Sequence, residues 1–365
     1  MFNKTILTRI LSRILPRILL LSCIFQLTAC STLGYIAHTS SGHLKLMSDR
    51  QPISSLLEDE NIDQVQKNKF KRFLIIREFA SSHLHLPDNK SYTSYVDLDR
   101  DYVTWVVFAT PQLSLQAESW CFWVVGCVPY RGYYDQSKAQ QFANQLKLQQ
   151  LEVYIAPVPA YSTLGWFSDP LLSSMLDRGE LVTAEYIFHE LAHQQLYIKN
   201  DTSFNEAFAS AIAQLGVIAW LEAEKKPAKL QRYLQSIQEK KQLYVIVEDF
   251  RQQLVEIYSS SLARPEKLRL KQEAFVSYEK QVVSKLEQWE KLKKYRQWLI
   301  EDMNNAKLNA FSTYQALVPD FILLFEACNK NYDEFYRVIE STQRLSDQQR
   351  IEFLHSGKCR RVEPE

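Results

Sequence analysis

The feature that most constrains this chain is a pair of apolar helical segments separated by a short polar break. The pattern predicts one helix over residues 181–199 and a second over 203–225. Between them, Asn200, Asp201 and Thr202 are residue types that end one helix and cap the next. Two antiparallel helices joined by so short a turn can face each other, and the apolar residues of the first suit a buried helix.

The first helix of the hairpin carries two histidines on one face. His189 and His193 are four residues apart, which places them one helical turn apart on the same side. Two imidazoles in this arrangement can both reach a zinc ion at about 2.0–2.1 Å. Glu190 is rotated by about 100° from His189, beside the metal, where it can take a proton from a zinc-bound water and deliver it to a leaving amine.

A catalytic zinc needs a third protein ligand and an open position. Glu206 lies near the start of the second helix, across the turn from His193, and Asn205 beside it could orient a ligand. His-Glu-x-x-His alone occurs by accident in many helices. Here two histidines and a glutamate on apolar helices would cost stability unless they were paired or ligated, which favours the zinc site.

The N-terminus has the pattern of an export signal. Residues 1–18 hold four positive charges and no acid, and the apolar run that follows is too short to span a bilayer. The sequence Leu27-Thr-Ala-Cys30 resembles the bacterial lipobox, which predicts a signal peptide over 1–29 and lipidation of Cys30. Ser31 then favours the outer membrane, with the protein facing the periplasm; an ordinary signal peptide or signal anchor is the alternative.

Charge argues against a nucleic-acid partner. The formal net charge is +1, and removal of the four positive charges in 1–29 leaves −3. A near-neutral mature chain has no basic excess of the kind that nucleic acid requires.

Four cysteines remain after Cys23 and Cys30, an even number that suits an oxidising compartment. Three pairings are possible, and we favour Cys121 with Cys127 and Cys328 with Cys359. Gly126 can supply the turn inside the first pair. A four-cysteine zinc site is the rival, but no two of the four are spaced Cys-x-x-Cys.

The remaining pattern predicts an α+β fold that is mostly helical. Strands are expected over 102–109 and 152–156, and long charged helices over roughly 228–260 and 266–308. The apolar stripe of the last helix fits either an internal helical layer or a coiled coil that binds a partner. We divide the chain into a signal peptide (1–29), a lipidated tether (30–60), a metallopeptidase core with a small sheet (61–225) and a helical C-terminal region (226–365).

Beyond these patterns, the mature chain resembles a bacterial family of zinc-dependent aminopeptidases, lipoproteins of the gluzincin class. Eight segments carry the resemblance: Ser41-Gly-His-Leu44, Trp120-Cys-Phe122, Gly126–Tyr133, Val158–Phe167, Asp169-Pro-Leu-Leu172, Phe188-His-Glu-Leu-Ala-His193, Phe204-Asn-Glu206 and Asn304-Asn-Ala306.

The resemblance implies a zincin-like core, zinc as cofactor and peptide hydrolysis. It implies that His189, His193 and Glu206 bind zinc and that Glu190 is the general base. The interval between His193 and Glu206 is shorter than in thermolysin-like members, so the turn must be tight. Tyr161 and Tyr314 are candidate donors to the tetrahedral oxyanion.

The sequence defines the substrate less closely than the metal site. A peptide is expected, and Asp169 or Glu185 could hold its α-amine. An endopeptidase or amidase of envelope proteins or peptidoglycan peptides is one alternative, and a non-catalytic tethered scaffold with a structural zinc is another. The sequence gives no oligomeric state.

Overall fold

The computed structural model describes residues 34–122, 126–160, 162–313 and 317–362. The chain divides into two units at Asp49 and Arg50. In the first unit the described part is helix α1 (34–48). Residues 50–365 form the second unit, which contains all of the predicted core and all of the predicted C-terminal region. The boundary predicted between those two regions stays a prediction. The predicted signal peptide and Cys30 lie outside the described residues.

The largest described sheet has three antiparallel strands in the order β6-β3-β7. Its centre is the apolar strand β3 (Thr104–Pro111), which pairs with β6 (Arg131–Tyr133) and with β7 (Leu151–Val158). A second sheet joins β1 (Gln51–Pro52), β2 (Ser94–Val96) and β8 (Leu171–Leu172). The third is a hairpin of β4 (Trp120–Phe122) and β5 (Gly126–Val128). These strands confirm the two that the sequence predicts.

Helices make up most of the second unit. In its first half they are α2 (Ile53–Glu58), α3 (Gln64–Ser82), α4 (Gln136–Leu148), α5 (Ser173–Leu176), α6 (Glu180–Gln195) and α7 (Thr202–Ala223). In its second half they are α8 (Pro227–Ser259), α9 (Arg264–Leu286), α10 (Arg296–Ile300), α11 (Asn305–Thr313), α12 (Val318–Ala327), α13 (Tyr332–Ser341) and α14 (Asp347–Ser356). Small sheets with many helices confirm the predicted α+β, mostly helical class; the zincin-like core stays a prediction.

Helices α6 and α7 form the predicted hairpin at the centre of this unit. Side chains pack directly on Gly216 of α7, because a Cβ there would lie 2.6 Å from Cδ2 of Phe188 and 2.7 Å from Cδ1 of Leu84. Among the described residues, α7 is the one helix long and apolar enough to cross a membrane, but 72% of its most apolar stretch is buried inside the protein. It is therefore well explained as a core helix.

The helix predicted over 266–308 is interrupted, and that prediction is wrong. Helix α9 ends at Leu286, and α10 and α11 follow after breaks. Oε2 of Glu239 on α8 accepts hydrogen bonds from the backbone N–H groups of Lys291 and Leu292, at 2.8 and 3.0 Å. The apolar stripe nevertheless stays buried against α8, because Trp289, Leu292 and Leu299 remain in the same core.

Both favoured disulfides are present. Cys121 pairs with Cys127 across the β4–β5 hairpin, and Cys328 at the end of α12 pairs with Cys359 beyond α14. The predicted pairing is confirmed, and these four cysteines do not form a zinc site.

Candidate metal centre

Helix α6 places both predicted histidines beside α7. The helix begins after Gly179 and ends at Gln195, four residues earlier than predicted. His193 is almost fully buried and His189 is partly buried, while Ile187, Phe188, Leu191 and Ala192 around them belong to the core. The apolar residues therefore fix the helix, and the two imidazoles take the remaining face.

The turn between the helices is held by polar side chains. Asn205 accepts a hydrogen bond from the N–H of Ile198 at 2.8 Å and donates its amide to the carbonyl of Ile198 at 2.7 Å. Asp201 caps α7 by accepting from the N–H of Phe204. The described hydrogen bonds of Asn205 are thus with the turn and not with an imidazole, so it fixes the turn that delivers its neighbour Glu206.

The disulfide hairpin packs on the same turn. The N–H of Cys127 donates to Oδ1 of Asn200 at 2.8 Å. Gly126 has φ +80°, and a Cβ there would lie 2.2 Å from that oxygen, so only glycine fits without a shift. The β4–β5 hairpin therefore packs against the tight turn between α6 and α7 and supports it.

Three donor atoms from this hairpin converge. Nε2 of His189 lies 3.1 Å from Nε2 of His193, and Oε2 of Glu206 lies 3.3 and 3.6 Å from the two nitrogens. Corners of a tetrahedron around an ion with bonds of about 2.0–2.1 Å are about 3.3 Å apart. The three atoms therefore fit three corners of a zinc tetrahedron. Within the described residues, no other group of three histidine, cysteine or acidic side chains could hold a metal ion.

The pKa values of the two glutamates in the site are shifted in opposite directions. Burial alone would raise the pKa of Glu206, but the charges and hydrogen bonds of His193 and His189 outweigh it and lower the pKa to about 2. For Glu190, burial and the neighbouring charges of Glu206 and Asp169 raise the pKa to about 7, against the effect of His189. Glu206 is thus ionised, and Glu190 is a carboxyl with higher proton affinity.

The structure adds residues that sequence reasoning did not assign. Asp169, which the sequence left as a possible amine-binding group, is fully buried and accepts hydrogen bonds from Thr163 and a long one, at 3.4 Å, from the hydroxyl of Ser162. An amine-binding role does not fit that burial. Glu185 accepts a hydrogen bond from the phenol of Tyr233 at 2.7 Å.

Tyr197, just beyond the end of α6, lies against the metal centre. Its ring meets the ring of His193 edge-on, with 6.3 Å between centroids. Burial and the charge of Glu206 raise its pKa to about 12, so the phenol keeps its proton at neutral pH. Tyr161 and Tyr314, the two tyrosines proposed from the sequence, lie outside the described residues.

Two histidines one turn apart on α6 and a carboxylate from α7 thus form a candidate metal centre. A comparison with protein families supports a peptidase. The family model described as "Putative aminopeptidase" matches residues 34–354, and the chain belongs to this family. Comparisons with curated proteins and with solved structures gave no match.

Proposed function

We propose that this chain is a zinc-dependent aminopeptidase that hydrolyses peptides in the periplasm. Membership of the aminopeptidase family supports hydrolysis of peptides. The observation that carries the metal assignment is the triangle of His189, His193 and Glu206, with edges of 3.1, 3.3 and 3.6 Å.

The number of donors favours a catalytic over a structural zinc. Structural zinc sites have four protein ligands, whereas catalytic sites have three and leave one position for water or substrate. In the described part of the chain, three donors meet and Glu190 follows directly after one of them. The rival scaffold, with a purely structural zinc, would leave this glutamate without a role.

In the proposed reaction, different residues bind the ion, transfer the proton and hold the ligands in position. The two histidines and Glu206 hold the ion, which when bound supplies a Lewis acid for the carbonyl and for water. Glu190 takes a proton from the attacking water and returns it to the nitrogen of the leaving amine. Asn205 and Asp201 keep Glu206 at the start of α7, so the ligand geometry does not depend on a mobile turn.

The donor set fits zinc, because two imidazoles and one carboxylate are the ligands of several zinc hydrolases. The same donors also suit other divalent ions. Metal analysis of the purified protein, after dialysis against equal concentrations of zinc, manganese and cobalt, tests the assignment; zinc is expected to be retained at about one ion per chain.

We propose that the protein is attached to the outer membrane through a lipidated Cys30. The basic n-region, the short apolar run and Leu27-Thr-Ala-Cys30 support it. The two disulfides add support, since disulfides persist in oxidising compartments outside the cytosol. Incorporation of labelled fatty acid into the wild-type chain, and its loss in Cys30→Ala, is the test.

The catalytic proposal is tested by Glu190→Gln. The variant should keep zinc and fold but lose hydrolysis of a peptide library by about 100-fold or more. Glu222→Gln is the matched control, since Glu222 is an exposed glutamate on α7 with no role in the proposed reaction. Retained hydrolysis in Glu190→Gln would refute Glu190 as the base.

Specificity is tested with matched peptides that have a free or an acetylated N-terminus. An aminopeptidase cleaves only the free form, because it must bind the α-amine. Cleavage of the acetylated peptides would replace the aminopeptidase assignment with an endopeptidase or amidase.

A further inference from the structure

We propose that Glu185 binds the α-amine of the substrate peptide and thereby limits cleavage to the N-terminal residue. The proposal rests on the proposed function, in which the carbonyl that is attacked lies at the donors His189, His193 and Glu206. Of the two acidic residues that the sequence suggested for this role, Asp169 is fully buried, which leaves Glu185.

Helix periodicity places Glu185 on the face of α6 that carries the histidines. Glu185, His189 and His193 follow one another at four-residue steps, so their side chains lie on one side of the helix. Glu185 comes one turn before His189, which corresponds to about 6 Å along the helix axis. The carboxylate therefore lies beside the metal centre and not on the opposite side of the helix.

The burial of α6 shows that this face is open. Along the helix, pairs of buried residues alternate with pairs that are only partly buried. The buried pairs are Thr183-Ala184, Ile187-Phe188 and Leu191-Ala192, and the partly buried pairs are Glu185-Tyr186 and His189-Glu190. A continuous, partly exposed stripe therefore leads from His189 and Glu190 back to Glu185.

Helix α8 closes this stripe at Glu185. The phenol of Tyr233 donates to Oε1 of Glu185 at 2.7 Å, and Nζ of Lys240 lies 3.9 Å from the same oxygen. Tyr233 and Lys240 are seven residues apart, so one face of α8 makes both contacts. The stripe is thus open for about one helical turn between the histidines and α8, which suits one substrate residue with about 3.8 Å between successive Cα atoms.

The spacing also suits an α-amine. In an N-terminal residue, the amine nitrogen and the carbonyl carbon are separated by two bonds of about 1.5 Å each. A hydrogen bond from the ammonium group to a carboxylate adds about 2.8 Å. The total is close to the rise of about 6 Å for one turn. A peptide extended beyond that amine would meet Glu185 and α8.

The contacts of Glu185 leave it ready to accept a cation. Burial and the charge of Glu185 raise the pKa of Tyr233 well above its ordinary range, so the phenol stays a donor at neutral pH. Both described contacts use Oε1, which leaves Oε2 for an ammonium group. Lys240 is too distant for a hydrogen bond and its side chain is 46% exposed, so a substrate amine can displace it.

The first test measures binding. Titration calorimetry of the zinc-loaded full chain compares leucine hydroxamate with N-acetyl-leucine hydroxamate, since both can chelate the ion but only the first has an α-amine. The wild type should bind the free-amine form about 10- to 100-fold more tightly, and Glu185→Gln should lose this preference while it keeps its zinc. Equal binding of the two forms by the wild type would overturn the proposal.

Two further variants separate this role from a general effect on the fold. Tyr233→Phe removes only the hydrogen bond to Glu185 and should reduce the preference by about 2- to 10-fold, with zinc content unchanged. Glu222→Gln, an exposed position on α7, should keep the full preference. Loss of the preference in Glu222→Gln as well would overturn the assignment to Glu185.

The second test measures hydrolysis. On peptides with a free N-terminus, Glu185→Gln should lower kcat/KM by about 10- to 100-fold relative to the wild type. Unchanged kcat/KM in Glu185→Gln, with Glu190→Gln inactive, would overturn this proposal alone. A wild type that binds neither hydroxamate and cleaves no peptide would overturn the proposed function, and the amine site with it.

Discussion

Arg350, on the last helix, donates from Nε to Oδ2 of Asp201 over 2.8 Å, and Asp201 is the N-cap of the helix that carries Glu206. Arg350 is almost fully buried, and its guanidinium also lies over the ring of Phe204, 5.7 Å from the centroid. The C-terminal end of the chain therefore reaches the turn of the metal centre, although it is distant in sequence.

Replacing Arg350 by Met should destabilise the protein by about 3 kcal/mol, because it leaves Asp201 charged and poorly solvated. Urea unfolding measures the loss. Arg337→Met on α13 is the control. Arg337 is exposed and its partner Glu334 is partly exposed, so little change is expected there. An equal effect of the two variants would contradict the role given to Arg350.

Gly216→Ala should push α6 and α7 apart. The added Cβ would meet fully buried atoms of Phe188 and Leu84 at 2.6 and 2.7 Å, and we expect a loss of about 1–3 kcal/mol in the free energy of unfolding. Zinc affinity should fall as well, because Phe188 adjoins His189. Gly132→Ala is the matched control, since a Cβ there meets nothing within 4 Å.

Glu206→Gln should remove most of the stabilisation that zinc gives to the folded state. An ion bound only by the folded protein raises its stability by about 2.7 kcal/mol at 100 times its Kd. Thermal melts with and without zinc should therefore differ for the wild type and much less for the variant. Glu222→Gln, an exposed position on the same helix, should respond to zinc like the wild type; a similar response in Glu206→Gln would exclude Glu206 as a ligand.

Stability should depend on pH through the start of α6. Burial of Glu180 opposes its ionisation, but the hydrogen bond and charge of Arg72, 2.8 Å away, outweigh it and lower its pKa below the ordinary 4.5. The folded state therefore gains from this group above pH 4.5 and loses that gain as the pH falls through the lowered pKa.

Glu180→Gln should consequently cost no more than about 1 kcal/mol at pH 7, since the pair is partly exposed. The difference from the wild type should shrink as the pH falls below 4.5. Unfolding curves between pH 3 and pH 7, a range of about four units around the ordinary pKa of Glu, measure it; a difference that grows on acidification would contradict the assignment.

The two disulfides should stabilise the fold unequally. The chain-entropy estimate gives about 4 kcal/mol for the pair separated by 31 residues, Cys328 and Cys359, and about 2 kcal/mol for the pair separated by 6, Cys121 and Cys127. Paired Cys→Ser variants, compared by urea unfolding, test the order. The opposite order would show that the contacts of the β4–β5 hairpin outweigh loop entropy.

Sequence alone located the three candidate metal donors that the structure brings together, because their relation is local. The helical spacing of His189 and His193 and the helix start before Glu206 are local signals. They do not depend on how the rest of the chain folds. Asn205 was placed beside the site for the same reason. Its bonds to Ile198, however, depend on the turn geometry and could not be read from spacing.

The missed features depend on contacts between distant segments. The break after α9 is stabilised by Glu239, about fifty positions earlier, while the apolar stripe continues through it unchanged. Periodicity therefore could not report the interruption. The hydrogen bonds that Asp169 accepts from Ser162 and Thr163 were missed for a similar reason, since a buried acid in a loop has no repeating pattern to reveal it.

All three metal donors come from one stretch, residues 189–206. Closing so short a segment costs little chain entropy, so an ion bound there would act as a local cross-link between consecutive helices. Such a hairpin can capture its ion before the sheet or the C-terminal helices have docked. Metal uptake would then guide the order of assembly as well as serve the finished fold.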